Sequence, residues 1–175
     1  MTDLGLSAMD GLEEGLLDEM QDALEINFPL RIVRSAPVSL SGVEWDRTRR
    51  QHSAPLVLQR VLSARDRHPT KLLAVTGNDL FIPMLTFVYG QAQLSGRAAV
   101  VSIARLRQQF YGLPPNLELL IARGRKEAVH ETGHLFGLVH CAHVECAMSL
   151  STNLRQIDLK NDLLCPACRA RVWEG

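Results

Sequence analysis

The sequence predicts an α/β (α+β) fold in which a mixed β-sheet packs against helices. Two observations lead to this prediction. First, segments with the apolar spacing of helices alternate with short runs of strand-forming residues, which is typical of strands connected through helices. Second, the chain has 175 residues, of which 46% are hydrophobic, and this suits one domain with a substantial core. We therefore predict a single domain over residues 1–175.

The first predicted element is an amphipathic helix. Residues 7–26 carry apolar side chains mostly three or four positions apart, which is the spacing of one helix face. The run that follows Pro29 predicts a first strand at residues 30–33, and a second, short strand is predicted at 37–44. The polar stretch 45–53 is expected to form a loop.

A second helix and three further strands are predicted next. Apolar residues at helical spacing indicate a helix over residues 54–68, with Ser53 as its N-cap. Strands are predicted at 71–76, 83–91 and 97–106, where apolar, β-branched and aromatic residues are concentrated.

The longest predicted helix carries two histidines. It follows Pro114 and Pro115, and Asn116 is a suitable N-cap for it. His130 and His134 are four positions apart on this helix, so both imidazoles lie on one face and can reach one ion.

The run from residue 130 to 140 reads H-E-x-x-H-x-x-G-x-x-H and predicts a catalytic zinc site. His140 cannot come from the same helical turn as His134, so the chain must bend first. Gly137 lies where the bend is needed, because glycine accepts the left-handed conformation that ends a helix. Three protein ligands leave the fourth position of a tetrahedral zinc open for a water molecule that the metal activates, with Glu131 as the general base.

All four cysteines lie after this motif, at Cys141, Cys146, Cys165 and Cys168. Two cysteine pairs about twenty residues apart suit a closed, structural four-cysteine zinc site. Two disulfides or a redox-active C-x-x-C are the alternatives. Residues 1–20 do not resemble a secretory signal, so we expect a reducing, cytoplasmic location, which favours metal over disulfides.

The run from His130 to Cys168 resembles the archaemetzincins, a branch of the metzincin metalloproteases. Their pattern, H-E-x-x-H-x-x-G-x-x-H-C-x-x-x-x-C-x-M followed by C-x-x-C, is matched at every named position, including Met148. The one departure is the spacer between Met148 and Cys165, which is one residue shorter here than in the family pattern. The segment from Val75 to Gly90 is also similar to the family, less distinctively.

The resemblance implies a metzincin-like zincin fold with a twisted sheet, a long active-site helix and a methionine turn beneath the zinc, formed by Met148. Residues 1–137 would form the upper subdomain. Residues 138–175 would form a short, mostly irregular lower one, braced by the four-cysteine zinc. In the family an antiparallel edge strand pairs with the substrate backbone. By chain order the candidates are Thr86, Phe87, Val88 and Tyr89, unless this run is an interior strand.

The predicted cofactors are therefore two zinc ions per chain, one catalytic and one structural, and the predicted partner is a peptide or protein substrate. Nineteen basic and nineteen acidic residues give no net charge, which argues against a nucleic acid partner. The sequence contains no run of eighteen apolar residues, so we predict no membrane span. We expect a monomer. The motif does not separate an endopeptidase from an aminopeptidase. The alternative function is a catalytically weak, zinc-stabilised peptide-binding protein of the same fold.

Overall fold

The fold is built from two β-sheets and five α-helices within residues 2–64 and 70–174, which are the residues that this computed structural model describes. The strands are β1 (Thr2–Ala8), β2 (Leu30–Arg34), β3 (Trp45–Asp46), β4 (Gln51–Ser53), β5 (Lys71–Thr76), β6 (Leu80–Ile82), β7 (Leu85–Val88), β8 (Gly90–Ala92) and β9 (Ala98–Ser102). The helices are α1 (Leu16–Asn27), α2 (Ala54–Ala64), α3 (Leu117–Leu135), α4 (Leu154–Leu159) and α5 (Pro166–Trp173).

The main sheet has five strands in the order β2-β1-β5-β9-β8. The first four are parallel, and β8 pairs antiparallel with β9 at one edge. Side chains alternate between the two faces of a strand, so Leu73 and Val75 pack with α1 and α3, whereas Leu72 and Ala74 pack with α2. Burial on both faces explains why β5 is almost continuously apolar.

The second sheet is small, with the order β3-β4-β6-β7. β4 and β6 are parallel, and the outer pairs β3/β4 and β6/β7 are antiparallel. The chain passes directly from β7 through Tyr89 into β8, so the edges of the two sheets are consecutive in sequence. This junction forms one wall of the cleft described below.

The amino-terminal prediction is wrong in part. Residues 2–8 form β1, a central strand of the main sheet, and the helix predicted from residue 7 begins only at Leu16. β1 contains Leu4 and Leu6 on one face, an alternation too short to stand out in the sequence. Parallel pairing with β2 on one side and β5 on the other stabilises it as a strand.

Other boundaries also differ from the predictions. Residues 37–44 contain no strand, and the predicted loop 45–53 contains β3 and β4. α2 begins at Ala54 as predicted and is described to Ala64, and the last predicted positions, 65–68, lie outside the described residues. β5 has the predicted bounds.

The carboxy-terminal segment is less irregular than predicted, because it contains α4 and α5. Its apolar residues Ile157, Leu164 and Val172 join the core formed by α1, α3 and the main sheet. Within the described residues, no helix has the length and apolar character needed to cross a lipid bilayer.

Candidate active site and metal centres

α3 carries the first part of the candidate active site. Its N-cap is Asn116, whose side-chain oxygen accepts a hydrogen bond of 3.0 Å from the backbone N–H of Leu119, as predicted. His130, Glu131 and His134 lie in the last turns of this helix, where it is buried against the rest of the fold.

The turn after α3 brings the third histidine back to the first two. Gly137 has a φ of 82°, and the N–H of Leu138 donates to the carbonyl of Gly133 at 2.9 Å. This left-handed C-terminal turn confirms the predicted bend. The ring centroids of His130, His134 and His140 are 4.8–5.3 Å apart, and one nitrogen of each ring lies within 4.8 Å of the others.

The imidazole rings are oriented for metal binding. The Nδ1 atoms of His130 and His134 lie 2.9 and 2.8 Å from the backbone oxygens of Ala147 and Leu138, so Nδ1 carries the proton and donates it. The Nε2 atoms are then unprotonated, and they lie only 3.2 Å apart. Two facing lone pairs repel each other unless a cation lies between them, so this donor set fits a zinc ion.

Electrostatics keep these imidazoles neutral. Burial lowers the pKa of His130 well below its usual value, and the ammonium group of Lys160 adds to this effect. Burial also lowers the pKa values of His134 and His140. A neutral imidazole is the form that binds metal, so no proton has to be displaced near neutral pH.

A cleft of about 480 Å³ opens beside the three histidines. One wall is the continuous stretch from Leu85 to Ala92, and the opposite wall includes residues 150–152. Glu131 and Glu127 from α3 also line it. Glu131 is only 5% exposed, and burial raises its pKa well above the usual value, with a further contribution from the carboxylate of Glu127.

The strand predicted over residues 83–91 is not continuous, because it is broken at Tyr89. Thr86, Phe87 and Val88 belong to β7 of the small sheet, whereas the antiparallel edge strand of the main sheet is β8. At Tyr89 the chain leaves its pairing with β6 and begins to pair with β9, since the N–H of Ser102 donates to the carbonyl of Tyr89. The pattern of residue types does not reveal this change of partner strand.

Sequence reasoning missed a buried ion pair beside the cleft. The Nζ of Lys160 lies 3.0 Å from the Oε1 of Glu127, one helical turn before Glu131, and both side chains are buried. Lys160 also donates to the carbonyl of Ser149 at 3.4 Å, directly after Met148. Glu127 and Glu131 are four positions apart on one helix face, and this spacing could have indicated that Glu127 lies beside the cleft. Nothing in the sequence indicated that Lys160 lies there.

The second cluster brings together all four cysteines. Their Sγ atoms lie within 4.8 Å of one another, and those of Cys141 and Cys165 are 3.9 Å apart. A disulfide bond requires about 2.05 Å. Four sulfurs at about 2.3 Å from one tetrahedral zinc would be about 3.8 Å apart, so the cluster fits zinc. Burial raises the pKa of the Cys146 thiol, and the backbone N–H groups of Met148 and Cys165, which donate to its Sγ, act in the opposite direction.

Met148 lies directly against α3. A Cβ atom added at Gly133 would lie 2.2 Å from the Sδ of Met148, which is fully buried. One short segment before Met148 links the two clusters. The carbonyl of Ala147 accepts a hydrogen bond from His130, and the preceding residue, Cys146, contributes one of the four clustered sulfurs.

We expect Gly133→Ala to destabilise the protein by about 1–3 kcal/mol, the usual effect of overpacking, although alanine favours a helix more than glycine does. The measurement is urea unfolding of the variant and of the same change in a Met148→Ala background. In that background the added methyl group has room, so the loss should disappear. A Gly133→Ala variant that is more stable than the parent would contradict the close contact.

The comparisons with known proteins identify the family of the chain. The model for Peptidase family M54 matches residues 51–173. The chain belongs to peptidase family M54, the archaemetzincins. It is therefore a zinc metalloprotease by family.

Curated archaemetzincins from archaea match most of the chain. The one from Methanocaldococcus jannaschii is 42% identical over 127 residues, covering 73% of this chain and 69% of the relative. The one from Pyrococcus furiosus is 34% identical over 152 residues, covering 86% of this chain and 79% of the relative.

Solved archaemetzincin-type structures share the fold. The crystal structure of archaemetzincin from Methanopyrus kandleri has a TM-score of 0.87 at 32% identity, and the match covers 99% of this chain and 94% of that one. A zinc-dependent peptidase from Methanocorpusculum labreanum has a TM-score of 0.79 at 30% identity, covering 97% of this chain and 98% of that one. The predicted metzincin-like fold is thereby confirmed.

Proposed function

We propose that this archaemetzincin hydrolyses peptide bonds in extended peptide segments at the cleft beside His130, His134 and His140. The observation that carries the proposal is the joint presence, in one cleft, of three convergent neutral imidazoles and a buried carboxylate. In this proposal residues 1–137 supply the sheet and α3, and residues 138–175 supply His140, Met148 and the cysteines.

The three histidines would hold the catalytic zinc. When bound, zinc supplies Lewis acidity, which polarises a peptide carbonyl and acidifies water. Glu131 would accept a proton from the attacking water and deliver it to the leaving amine. Its raised pKa suits this role, since a carboxylate with an ordinary pKa is a weaker base. Cys141, Cys146, Cys165 and Cys168 would hold the structural zinc.

The free edge of β8 supports backbone recognition of the substrate. The carbonyl of Tyr89 and the N–H of Gln93 bond to β9. Backbone groups alternate in direction along an antiparallel strand, so those of Gly90 and Ala92 point away from β9. A peptide strand added at this edge would bond to Gly90 and Ala92, in place of the residues from Thr86 to Tyr89 that the sequence indicated.

The cleft walls support a preference for apolar side chains near the scissile bond. Leu85, Phe87 and Val88 line one wall, and Leu150, whose side chain is exposed, lines the other. Burying such a side chain of the substrate removes apolar surface on both sides from water. Strand addition itself is independent of side chains, so we expect selectivity to be modest.

The test is product mapping with a diverse set of unstructured peptides, in which each peptide is prepared with a free and with an acetylated amino terminus. We expect cleavage by zinc-loaded protein, with apolar residues enriched beside the cut, and no cleavage by His134→Ala. Cleavage of the acetylated set would identify an endopeptidase, and restriction to the free set would identify an aminopeptidase. Failure to cleave any peptide after zinc loading would contradict the proposed function.

An Ala92→Pro variant tests the edge strand. Proline lacks the N–H that is proposed to bond the substrate, and at an edge position it removes no bond to β9. Losing one hydrogen bond of about 1 kcal/mol should raise KM about fivefold, with kcat and zinc content little changed. Leu94→Ala, an exposed position outside β8, is the control. An unchanged KM for Ala92→Pro would place the substrate elsewhere.

A further inference from the structure

Gly90 lies in close contact with the side chain of Glu131. A Cβ atom added at Gly90 would lie 2.6 Å from the Oε1 and 2.7 Å from the Cγ of Glu131. Real Cβ atoms essentially never approach so closely, so even a methyl group at this position requires something to move. The φ of Gly90 is not positive, so a glycine is not needed here for its conformational freedom. What the site requires at Gly90 is the absence of a side chain.

The strand is the less movable partner in this contact. β8 is bonded to β9 on both sides of Gly90, through Tyr89 to Ser102 and through Gln93 to Ala98. An added Cβ would also lie 2.7 Å from the backbone oxygen of Val100, so the strand cannot shift toward β9 to make room. The side chain of Glu131 has rotatable bonds, and it would be the first group to yield.

Glu131 has little freedom to move and remain in place for proton transfer. Its side chain is almost fully buried between α3 and β8, and the carboxylate of Glu127 lies one helical turn away with its own partner, Lys160. A displaced Glu131 carboxylate would therefore leave the position from which it reaches the cleft. In a catalytic site, a misplacement of about 1 Å costs on the order of a hundredfold in rate.

We propose that Gly90 is a positioning residue for the general base, and that its missing side chain forms the slot in which the Glu131 carboxylate is held. This proposal rests on the proposed function, in which Glu131 is the base. The same residue offers backbone groups to the substrate strand. The base and the substrate backbone are then aligned against one residue of β8, so their relative position does not depend on a long chain of contacts.

The experiment compares Gly90→Ala with the parent and with Gly11→Ala, whose added methyl group would meet no atom within 4 Å. We expect kcat of Gly90→Ala to fall about a hundredfold. Its KM and its zinc content should both stay within threefold of the parent values. Gly11→Ala should match the parent. A kcat within threefold of the parent, or a loss carried by KM alone, would overturn the proposal.

A double-mutant cycle with Glu131→Ala separates this role from damage to the sheet. Removing the Glu131 side chain relieves its contact with the added methyl group and leaves only the contact with the backbone oxygen of Val100. We therefore expect Gly90→Ala to lower the urea midpoint of the parent clearly more than that of Glu131→Ala. If Gly90→Ala alone fails to fold, a folded double variant supports the proposal. A double variant that is equally impaired means that the clash with Val100 dominates, which overturns the proposal.

This cycle also separates the two proposals from each other. If the zinc-loaded parent cleaves no peptide, the proposed function fails. The urea midpoints still show whether a side chain at position 90 clashes with the side chain of Glu131. If the parent cleaves peptides and Gly90→Ala lowers the urea midpoint equally with and without the Glu131 side chain, the proposed function stands. The proposed positioning role of Gly90 then fails.

Discussion

Replacing Cys168 with serine is expected to remove the structural zinc proposed at the four cysteines and to unfold the carboxy-terminal segment. Cys168 is buried in α5 and contributes one of the four clustered sulfurs. Structural zinc sites contribute apparent binding free energies of about 10–16 kcal/mol, which is comparable to the whole stability of a typical domain at about 5–15 kcal/mol. Serine is a poor zinc ligand, so the remaining three sulfurs would hold the ion far less tightly.

The effect should extend to the histidine cluster. Cys141 directly follows His140, and Ala147, whose carbonyl orients His130, lies between Cys146 and Met148. Loss of the cysteine site therefore loosens the third histidine and the orientation of the first. We expect a large drop in the thermal midpoint of Cys168→Ser, together with weaker zinc binding at the histidines.

The measurement is zinc content per chain and thermal unfolding of untagged protein, with two matched variants. Ala167→Ser changes an exposed neighbour in the same C-x-x-C segment and should leave both properties unchanged. His134→Ala should lose the other zinc and keep the cysteine site. Two zinc ions in Cys168→Ser at the parental thermal midpoint would contradict a structural four-cysteine site.

The parts of the site that follow from local spacing were predictable from the sequence. The four-residue separation of His130 and His134, the N-cap at Asn116 and the bend at Gly137 depend on the geometry of one helix and its ends. β5 was equally predictable, since a continuous apolar run of that length is typical of a buried parallel strand.

The parts that depend on distant pairing were not predictable. β1 is a strand because β2 and β5 flank it, and its own residues carry only a weak alternation. The break at Tyr89 separates two sheets whose strands come from different parts of the chain. The ion pair of Lys160 with Glu127 joins residues that only the fold brings together.

Glu131→Gln is expected to lower kcat by about 10²–10⁴-fold while peptide binding is retained. Glutamine has nearly the same volume and cannot accept the proton of the attacking water. Glu131 is not one of the three clustered metal donors, so zinc content should remain that of the parent. The measurements are kcat and KM on a cleaved peptide, with the Kd of a fluorescent peptide as an independent readout of binding.

Glu118→Gln provides the control for this prediction. It is the same change on the same helix, at an exposed position in the first turn of α3, far along the helix from the cleft. We expect it to retain parental kcat and KM. Glu127→Gln is unsuitable as a control, since it would leave the buried Lys160 without its charged partner, and breaking such a pair costs about 3–5 kcal/mol.

The outcome also distinguishes an enzyme from a peptide-binding protein of the same fold. A general base changes the rate and leaves ground-state binding almost unaffected, so Kd and KM should hardly change when kcat falls. If Glu131→Gln kept a kcat within tenfold of the parent, another group would have to take the proton. If parent and variant both bind peptides and neither cleaves any of them, the result favours the peptide-binding protein of the same fold. The buried carboxylate beside the three neutral imidazoles would then perform no proton transfer.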